Sequence, residues 1–413
     1  MMNIIVNAYA VSPCWGSEPG TGWNWVKSLA GYCRVHVITE GEWREEIEKA
    51  LSSIPHASNL IFHYLPVDPA IRKMCWNQGD WRFYWHYRKW QKRALQKARG
   101  IIEEERIDVI HQLNMIGFRE PGFLWKIKGV PFVWGPIGGM ENIPVSYLRG
   151  AGLKISGFVV LKNFLNRMQS RFSPRVRKAV LRADALLAAV RGVERRIEDI
   201  YRKKVILINE TGCDVVDERP DGGNRFVQDG MLNILWVGRF IFTKQLGLAL
   251  RTMALLKERR NVRLHVCGGG SSREESFYKA LAEKLGISDS VVWHGIVPHD
   301  DILLKMKSAD LFLMTSIMEG TPHVVLESVQ CCLPILCFDV CGMSAIVNES
   351  IGDKIACTNP DDSAREFSDK IRYYMNHPEE LALKSANCMI RQRELSWENN
   401  AKTVVKLYHS LIK

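Results

Sequence analysis

Two doubly wound, parallel-sheet α/β domains are the fold class predicted for this chain, on three observations. Short runs rich in β-branched and aromatic residues alternate with helical periodicity almost throughout. The runs are continuously apolar rather than alternating, as expected of strands covered by helices on both faces of a parallel sheet. At 413 residues the chain also exceeds one ordinary core, and two domains of about 200 residues each are the natural division.

Taken in order, NIIVNAYA, RVHVITE, LIFHYLP, DVIHQLN, VPFVWGP, DALLAAV and KVILIN read as the buried strands of a first domain, residues 1–213. LNILWVG, VRLHVCG, SVVWHG, DLFLMTS, LPILCFD and DKIACT repeat the rhythm in a second domain, residues 214–393. Between them, residues 209–230 are rich in Gly, Asp, Asn and Glu and lack periodicity, which is linker chemistry. The tail SWENNAKTVVKLYHSLIK reads as a last amphipathic helix. No repeat has solenoid spacing and no tract is of low complexity.

A hydrophobic content of 46% and a charged content of 24% are those of a soluble globular protein. The net charge of +11 calls for an anionic partner: nucleic acid, an acidic membrane surface or a phosphate-bearing substrate. Eleven cysteines sit mostly inside apolar runs, with no C-x-x-C pair and no His–Cys cluster at zinc spacing. The expectation is a reduced, cytoplasmic chain without a structural metal. MMNIIVNAYA has neither the basic region nor the apolar length of a signal peptide. No run reaches the roughly 18 apolar residues of a membrane span.

Three stretches carry chemistry. In ILWVGRFIFTK a strand ends at Gly238, and Arg239 and Lys244 follow. Ligands of open α/β sheets bind at the carboxyl ends of strands, where a guanidinium and an ammonium suit a diphosphate. The plainer alternative is a solvated loop with two surface cations. In SIMEGTPHVVLESVQ, Pro322 suits the first turn of a helix whose N-terminal amides would receive an anion, and Gly320 permits close backbone approach. Glu327 lies about two helical turns beyond Glu319, so the two carboxylates could line one ligand of nucleotide size and accept hydrogen bonds from sugar hydroxyls. A helix-start Glu and a buried, salt-bridged Glu would produce the same spacing. The third feature is a pair of glycine-rich loops, CWGSEPGTGWNW and VWGPIGGMENIP. The first, with Gly20 and Gly22, lacks the G-x-G-x-x-G spacing of a dinucleotide loop, although Glu40 could supply the acidic residue after strand two. Either loop could approach a phosphate or sugar, or be a tight strand–helix turn.

Together these residues resemble the GT-B glycosyltransferases, specifically retaining glycosyltransferase family 4, with two Rossmann-like domains facing across a cleft. The resemblance is strongest over residues 232–340. Its pair of glutamates stands here as Glu319 and Glu327, and its glycine–arginine–lysine element as Gly238, Arg239 and Lys244. The resemblance implies a nucleotide-diphosphate sugar as donor. Arg239 and Lys244 would hold the diphosphate, Glu319 would contact the transferred sugar and Glu327 the ribose. Val297 would flank the base, and the backbone near Gly320, Thr321 and His323 would add to the phosphate site. Gly20 and Gly22 would meet the diphosphate from the first domain, the acceptor-binding one. The terminal helix, residues 394–413, would pack back on that domain. Gln245 and Ala345 depart from the pattern, standing where the family often has Gly and Glu. Many members carry a sugar-facing histidine after strand four; here the register is ambiguous by two residues. If the position falls on Leu113 the role is vacant and His111 or Asn114 must be considered, with His111 as an ordinary core-edge histidine the plainer alternative.

On this reading the protein is a retaining hexosyltransferase of bacterial surface polysaccharide synthesis, needing no metal or other cofactor and no nucleic acid, with a glycan or lipid-linked acceptor. A GT-B epimerase or phosphorylase would share the architecture, and a basic nucleic-acid-binding protein would share the charge. A peripheral location on the cytoplasmic face of an anionic membrane is expected from two stretches. Residues 71–100 pack Trp76, Trp81, Trp85 and Trp90 among nine Lys and Arg with Asp80 as the only acid, and residues 145–178 hold eight Lys and Arg and no acid. A helix whose tryptophans fill the domain core while its cations are solvated would give the same composition.

Overall fold

The computed structural model describes residues 1–76, 80–216 and 230–412. Each of the thirteen apolar runs is a strand. The first sheet contains β1 (Met2–Ala8), β2 (Cys33–Thr39), β3 (Leu60–Tyr64), β4 (Val109–Asn114), β5 (Phe132–Ile137), β6 (Ala185–Ala188) and β7 (Ile206–Leu207). The second contains β8 (Leu232–Val237), β9 (Val262–Cys267), β10 (Val291–Gly295), β11 (Leu311–Met314), β12 (Ile335–Phe338) and β13 (Gly352–Ile355). The orders are β3-β2-β1-β4-β5-β6-β7 and β10-β9-β8-β11-β12-β13. All pairings between these strands are parallel. The central strands β4, β5, β11 and β12 are buried at every residue, which is why they read as unbroken apolar runs. Both sheets reverse direction of strand order at their middle, β1 beside β4 and β8 beside β11, and such switch points are where open α/β sheets bind ligands.

Two compact units result. One comprises residues 1–141, 165–212 and 397–413, the other 142–164 and 213–396. The terminal helix Trp397–Leu411 lies in the first unit, where Trp397 meets Trp25 edge to face, with ring centroids 6.2 Å apart. The Trp25 indole donates to the Glu210 carbonyl at 2.7 Å. Residues 209–212 of the expected linker are therefore held against the first unit; residues 217–229 lie outside the described residues.

A single boundary near 213 misses one excursion. Residues 142–164 group with the second unit because Tyr147 is buried there. Its ring sits edge-on to Phe338 at 5.9 Å, and its hydroxyl pairs with the Ser363 hydroxyl at 2.8 Å. Asn163 closes the excursion, bonding both the amide and the carbonyl of Ile143.

The units share a further detail at topologically equivalent edge positions. His36 of β2 stacks on His63 of β3 with ring nitrogens 3.1 Å apart, and His265 of β9 stacks on His294 of β10, again at 3.1 Å. Burial holds all four imidazoles below their ordinary pKa, His63 at about 4.

The stretch 71–100 divides between core and surface. Phe83, Tyr87 and Trp90 of helix Arg82–Glu104 fill the first unit's core. Arg88 pairs with Glu120 at 2.6 Å, and Arg93 donates to the Pro66 carbonyl. Phe83, Tyr87 and Trp90 thus supply core packing, while Trp76, Trp81 and Trp85 are exposed, with Lys89 lying over the Trp85 ring.

Candidate active site

In the second unit the predicted residues converge on the β8/β11 switch point. β8 ends at Val237, and the Gly238 amide donates to the Cys267 carbonyl at 3.0 Å. Gly268, after β9, backs onto Gly238 with φ +141°, and a Cβ on it would meet the Gly238 carbonyl oxygen at 1.8 Å. Only glycine fits that approach. Arg239 is exposed and its side chain makes no ion pair or hydrogen bond among the described residues. Buried Phe240 anchors the loop, and a 3-10 turn, Phe242–Lys244, delivers Lys244.

Two bonds stitch this loop to the end of β11. The Thr315 hydroxyl donates to the Lys244 carbonyl at 2.9 Å while accepting from the Trp236 indole, and the Ile317 amide donates to the Thr243 carbonyl. The result places the Lys244 ammonium 2.6 Å from Glu319 Oε1, with both side chains largely buried. Gln245 takes the left-handed conformation at φ +52°, and its side-chain amide donates back to the Phe242 carbonyl at 2.7 Å. Glycine is the residue that takes this backbone conformation most readily, and Gln meets it here through that bond.

Beyond Glu319 the chain turns through Gly320 and Thr321 to Pro322, which precedes helix His323–Gln330; this helix has no side-chain cap. Its first amides are unsatisfied within the helix and, with the dipole, favour an anion. Gly342 supports the turn from behind. Its amide donates to the Gly320 carbonyl at 3.0 Å, and a Cβ there would lie 2.4 Å from that oxygen. Glu327, on the same helix, accepts from His299 Nε2 at 3.0 Å. Burial holds the His323 imidazole below its ordinary pKa, and Glu327 opposes that shift. Val297 is half-buried in the loop leading to His299.

Gly268, Gly342 and His299 were not singled out from the sequence. The run CGGGSS and the CG before MSAIV were the available signals, but a glycine's role depends on what lies opposite it.

In the first unit the structure corrects the expectations for His111 and for the Gly20–Gly22 loop. His111 is fully buried, donating from Nε2 to the Gly135 carbonyl at 2.7 Å, so that its Nδ1 accepts from the Tyr408 hydroxyl. Burial pushes its pKa down to about 4. With both ring nitrogens engaged, it is a structural core histidine, not one presented to a sugar. Gly20 and Gly22 lie inside helix Ser17–Leu29 rather than in a loop. Side chains there would strike the carbonyls of Trp15 and Ala10, at 2.3 and 2.4 Å, so these glycines allow tight helix seating. Glu40 pairs with Arg72 at 2.7 Å and accepts from the Val67 amide, an arrangement that ties the end of β2 to its neighbours.

Asn114, by contrast, donates to the Ala10 carbonyl and leaves its buried Oδ1 without a partner. Nearby, Glu18 accepts from the Ile116 amide at 2.7 Å, yet burial outweighs that bond and raises its carboxyl to about 7. Both belong to elements at the β1/β4 switch point.

Two Rossmann-like units with parallel sheets of seven and six strands define the GT-B class of fold. The solved structure of Anabaena HepE in complex with UDP has that fold and aligns with a TM-score of 0.62 over 99% of this chain and 100% of its own, at 14% identity. Residues 226–392 match the family model "Glycosyl transferases group 1", which covers the second unit's switch point and both glutamates. An uncharacterized glycosyltransferase of Methanocaldococcus jannaschii is 30% identical over 44% of this chain and 46% of its own length. The alpha-monoglucosyldiacylglycerol synthase of Streptococcus pneumoniae is 25% identical over 65% of this chain and 59% of its own. The chain thus spans about half the length of these curated relatives.

Proposed function

We propose that the protein is a glycosyltransferase that moves a sugar from a nucleotide-diphosphate sugar to a glycan or lipid-linked acceptor with retention of configuration. Its setting would be bacterial surface polysaccharide or glycolipid synthesis at the cytoplasmic face of the membrane. One observation carries the reading: Lys244 and Glu319 meet at 2.6 Å beside an uncapped helix start, at the switch point of the unit that matches the family.

In the free protein Glu319 balances the Lys244 charge. A diphosphate entering there draws the ammonium toward itself, joined by Arg239 and the first amides of the His323 helix. Glu319 is then released to accept hydrogen bonds from the sugar. Glu327, oriented by His299, accepts from the ribose hydroxyls. The bond between the anomeric carbon and the diphosphate oxygen breaks through an oxocarbenium-like state. The negative charge leaving with the diphosphate is stabilised by preorganised cations and dipoles. The acceptor hydroxyl attacks from the same face and its proton passes to the departing phosphate oxygen. These cationic groups supply the charge stabilisation without a metal, so activity should survive EDTA; loss on EDTA with recovery on Mg²⁺ or Mn²⁺ would refute that part.

The test is a thermal-shift panel of UDP-, GDP- and ADP-sugars against wild type, Lys244→Ala and Glu327→Ala. One base class should stabilise the wild type, Glu327→Ala should weaken that binding, and Lys244→Ala should cut turnover by on the order of 10²-fold, as for loss of one transition-state donor. No shift with any nucleotide sugar sinks the proposal. Conversion of the donor alone to an epimer would redirect it to an epimerase.

A further inference from the structure

Helix Leu153–Phe172 is built inside out. Its protein-facing stripe is Val159, Asn163, Asn166 and Ser170, at steps of four, three and four residues. Three of these four are polar, and each is bonded to protein. Asn163 holds Ile143, Asn166 donates to the Glu141 carbonyl and accepts from Arg119, and Ser170 accepts from Arg196. The opposite side presents Phe158, Leu161, Phe164, Leu165, Met168 and Phe172, with Phe158 and Phe172 63% and 62% exposed. A helix on a water-soluble surface normally shows the reverse pattern, and a contiguous apolar face of this extent marks a docking surface.

The charges say what docks. From 153 to 172 the helix carries Lys154, Lys162, Arg167 and Arg171 and no acid. Lys162 lies along one margin of the apolar face, and Arg167 and Arg171 along the other. Long cationic side chains flanking an apolar face suit the boundary between acyl chains and anionic headgroups. A second copy of this helix would bring like charges together. Among the described residues no helix is long and apolar enough to cross a membrane, so the fit is to a helix lying in the interface.

We propose that the exposed face of helix Leu153–Phe172 docks the protein on an anionic lipid bilayer. The proposal deepens the reading of a lipid-linked acceptor and rests on it for its purpose, while the binding itself is separately measurable. It places the membrane contact in the second of the two expected stretches; in the first, Phe83, Tyr87 and Trp90 are core although Trp76, Trp81 and Trp85 are exposed.

The experiment is co-sedimentation of the full chain with phosphatidylglycerol/phosphatidylcholine vesicles and with phosphatidylcholine alone. The proteins are wild type, the triple variant Leu161→Ser, Phe164→Ser, Met168→Ser, and the helix 82–104 variant Lys89→Glu, Lys92→Glu. The wild type should partition to anionic vesicles at least tenfold more strongly than to neutral ones, and less at high salt. The triple variant should lose at least tenfold with an unchanged melting temperature, since its side chains are exposed, while the lysine variant binds like wild type. Wild type left in the supernatant, a triple variant that binds like wild type, or a lipid-indifferent wild-type dimer that the triple variant dissociates would each overturn the proposal. Nucleotide-sugar thermal shifts on the same samples keep the readings apart: vesicle binding without any shift removes the transferase reading alone, and a shift without vesicle binding removes the docking alone.

Discussion

Glu18 shows how a single side chain can hold a measurable reserve of free energy. Its folded-state pKa of about 7 exceeds the ordinary carboxyl value of 4.5, so the folded state binds more protons and stability falls as pH rises from about 4.5 to 7. Gln keeps an oxygen for the Ile116 amide and removes the charge. Glu18→Gln should therefore match wild type near pH 4 and exceed it at pH 8, by at most about 3 kcal/mol on the linkage scale. Urea unfolding at the two pH values measures this; a variant no more stable at pH 8 would show that Glu18 is better solvated than its surroundings imply. Lys244 and Glu319 were readable in sequence as residue types at strand ends. His111 was not, because its role is fixed by Tyr408, 297 residues away.

At the scale of elements, glycines decide how closely loops approach. Gly342→Ala would press a methyl into the Gly320 carbonyl and Thr321 Cα, at 2.4 and 2.7 Å. Moving that backbone should cost on the order of 1–3 kcal/mol and weaken nucleotide-sugar binding by displacing the start of the His323 helix. Melting and titration calorimetry on the same variant test both effects, and unchanged donor affinity would detach Gly342 from the site. The edge-strand histidines make a pH prediction of opposite sign to that of Glu18. His63 has a folded pKa of about 4 against 6.5, through burial and the neighbouring Lys97 and His36 charges, with Glu105 opposing. The unfolded chain therefore binds the proton first, and stability present above pH 6.5 is lost as pH falls toward 4. His63→Gln should flatten the loss between pH 7 and 5; a variant as acid-sensitive as wild type would exclude this pair as a cause.

For the whole molecule, the thirteen strands were legible because each is a local apolar run, and two sheets followed from their number. The excursion 142–164 was not legible, since it depends on Tyr147 finding Ser363, 216 residues later. Deleting residues 397–413 removes Ala401, Val404, Val405 and Tyr408 from the first unit's core, a loss of several kcal/mol at roughly 1.5–3 kcal/mol for each large apolar side chain. Hydrogen exchange should then show protection falling around Trp25 and His111 while the β8–β13 sheet keeps its own; uniform protection would mean the helix is dispensable. The same connectivity orders events on the ribosome. The second unit has all of its residues once Ser396 is made, whereas the first, although begun earlier, lacks its last segment until 397–413 emerge. At about 5–20 residues per second, the interval between residues 212 and 413 is roughly 10–40 s. Throughout it the nascent first unit carries an uncovered face where Tyr408 will sit, a natural hold for a chaperone and a window for aggregation that the finished protein does not have.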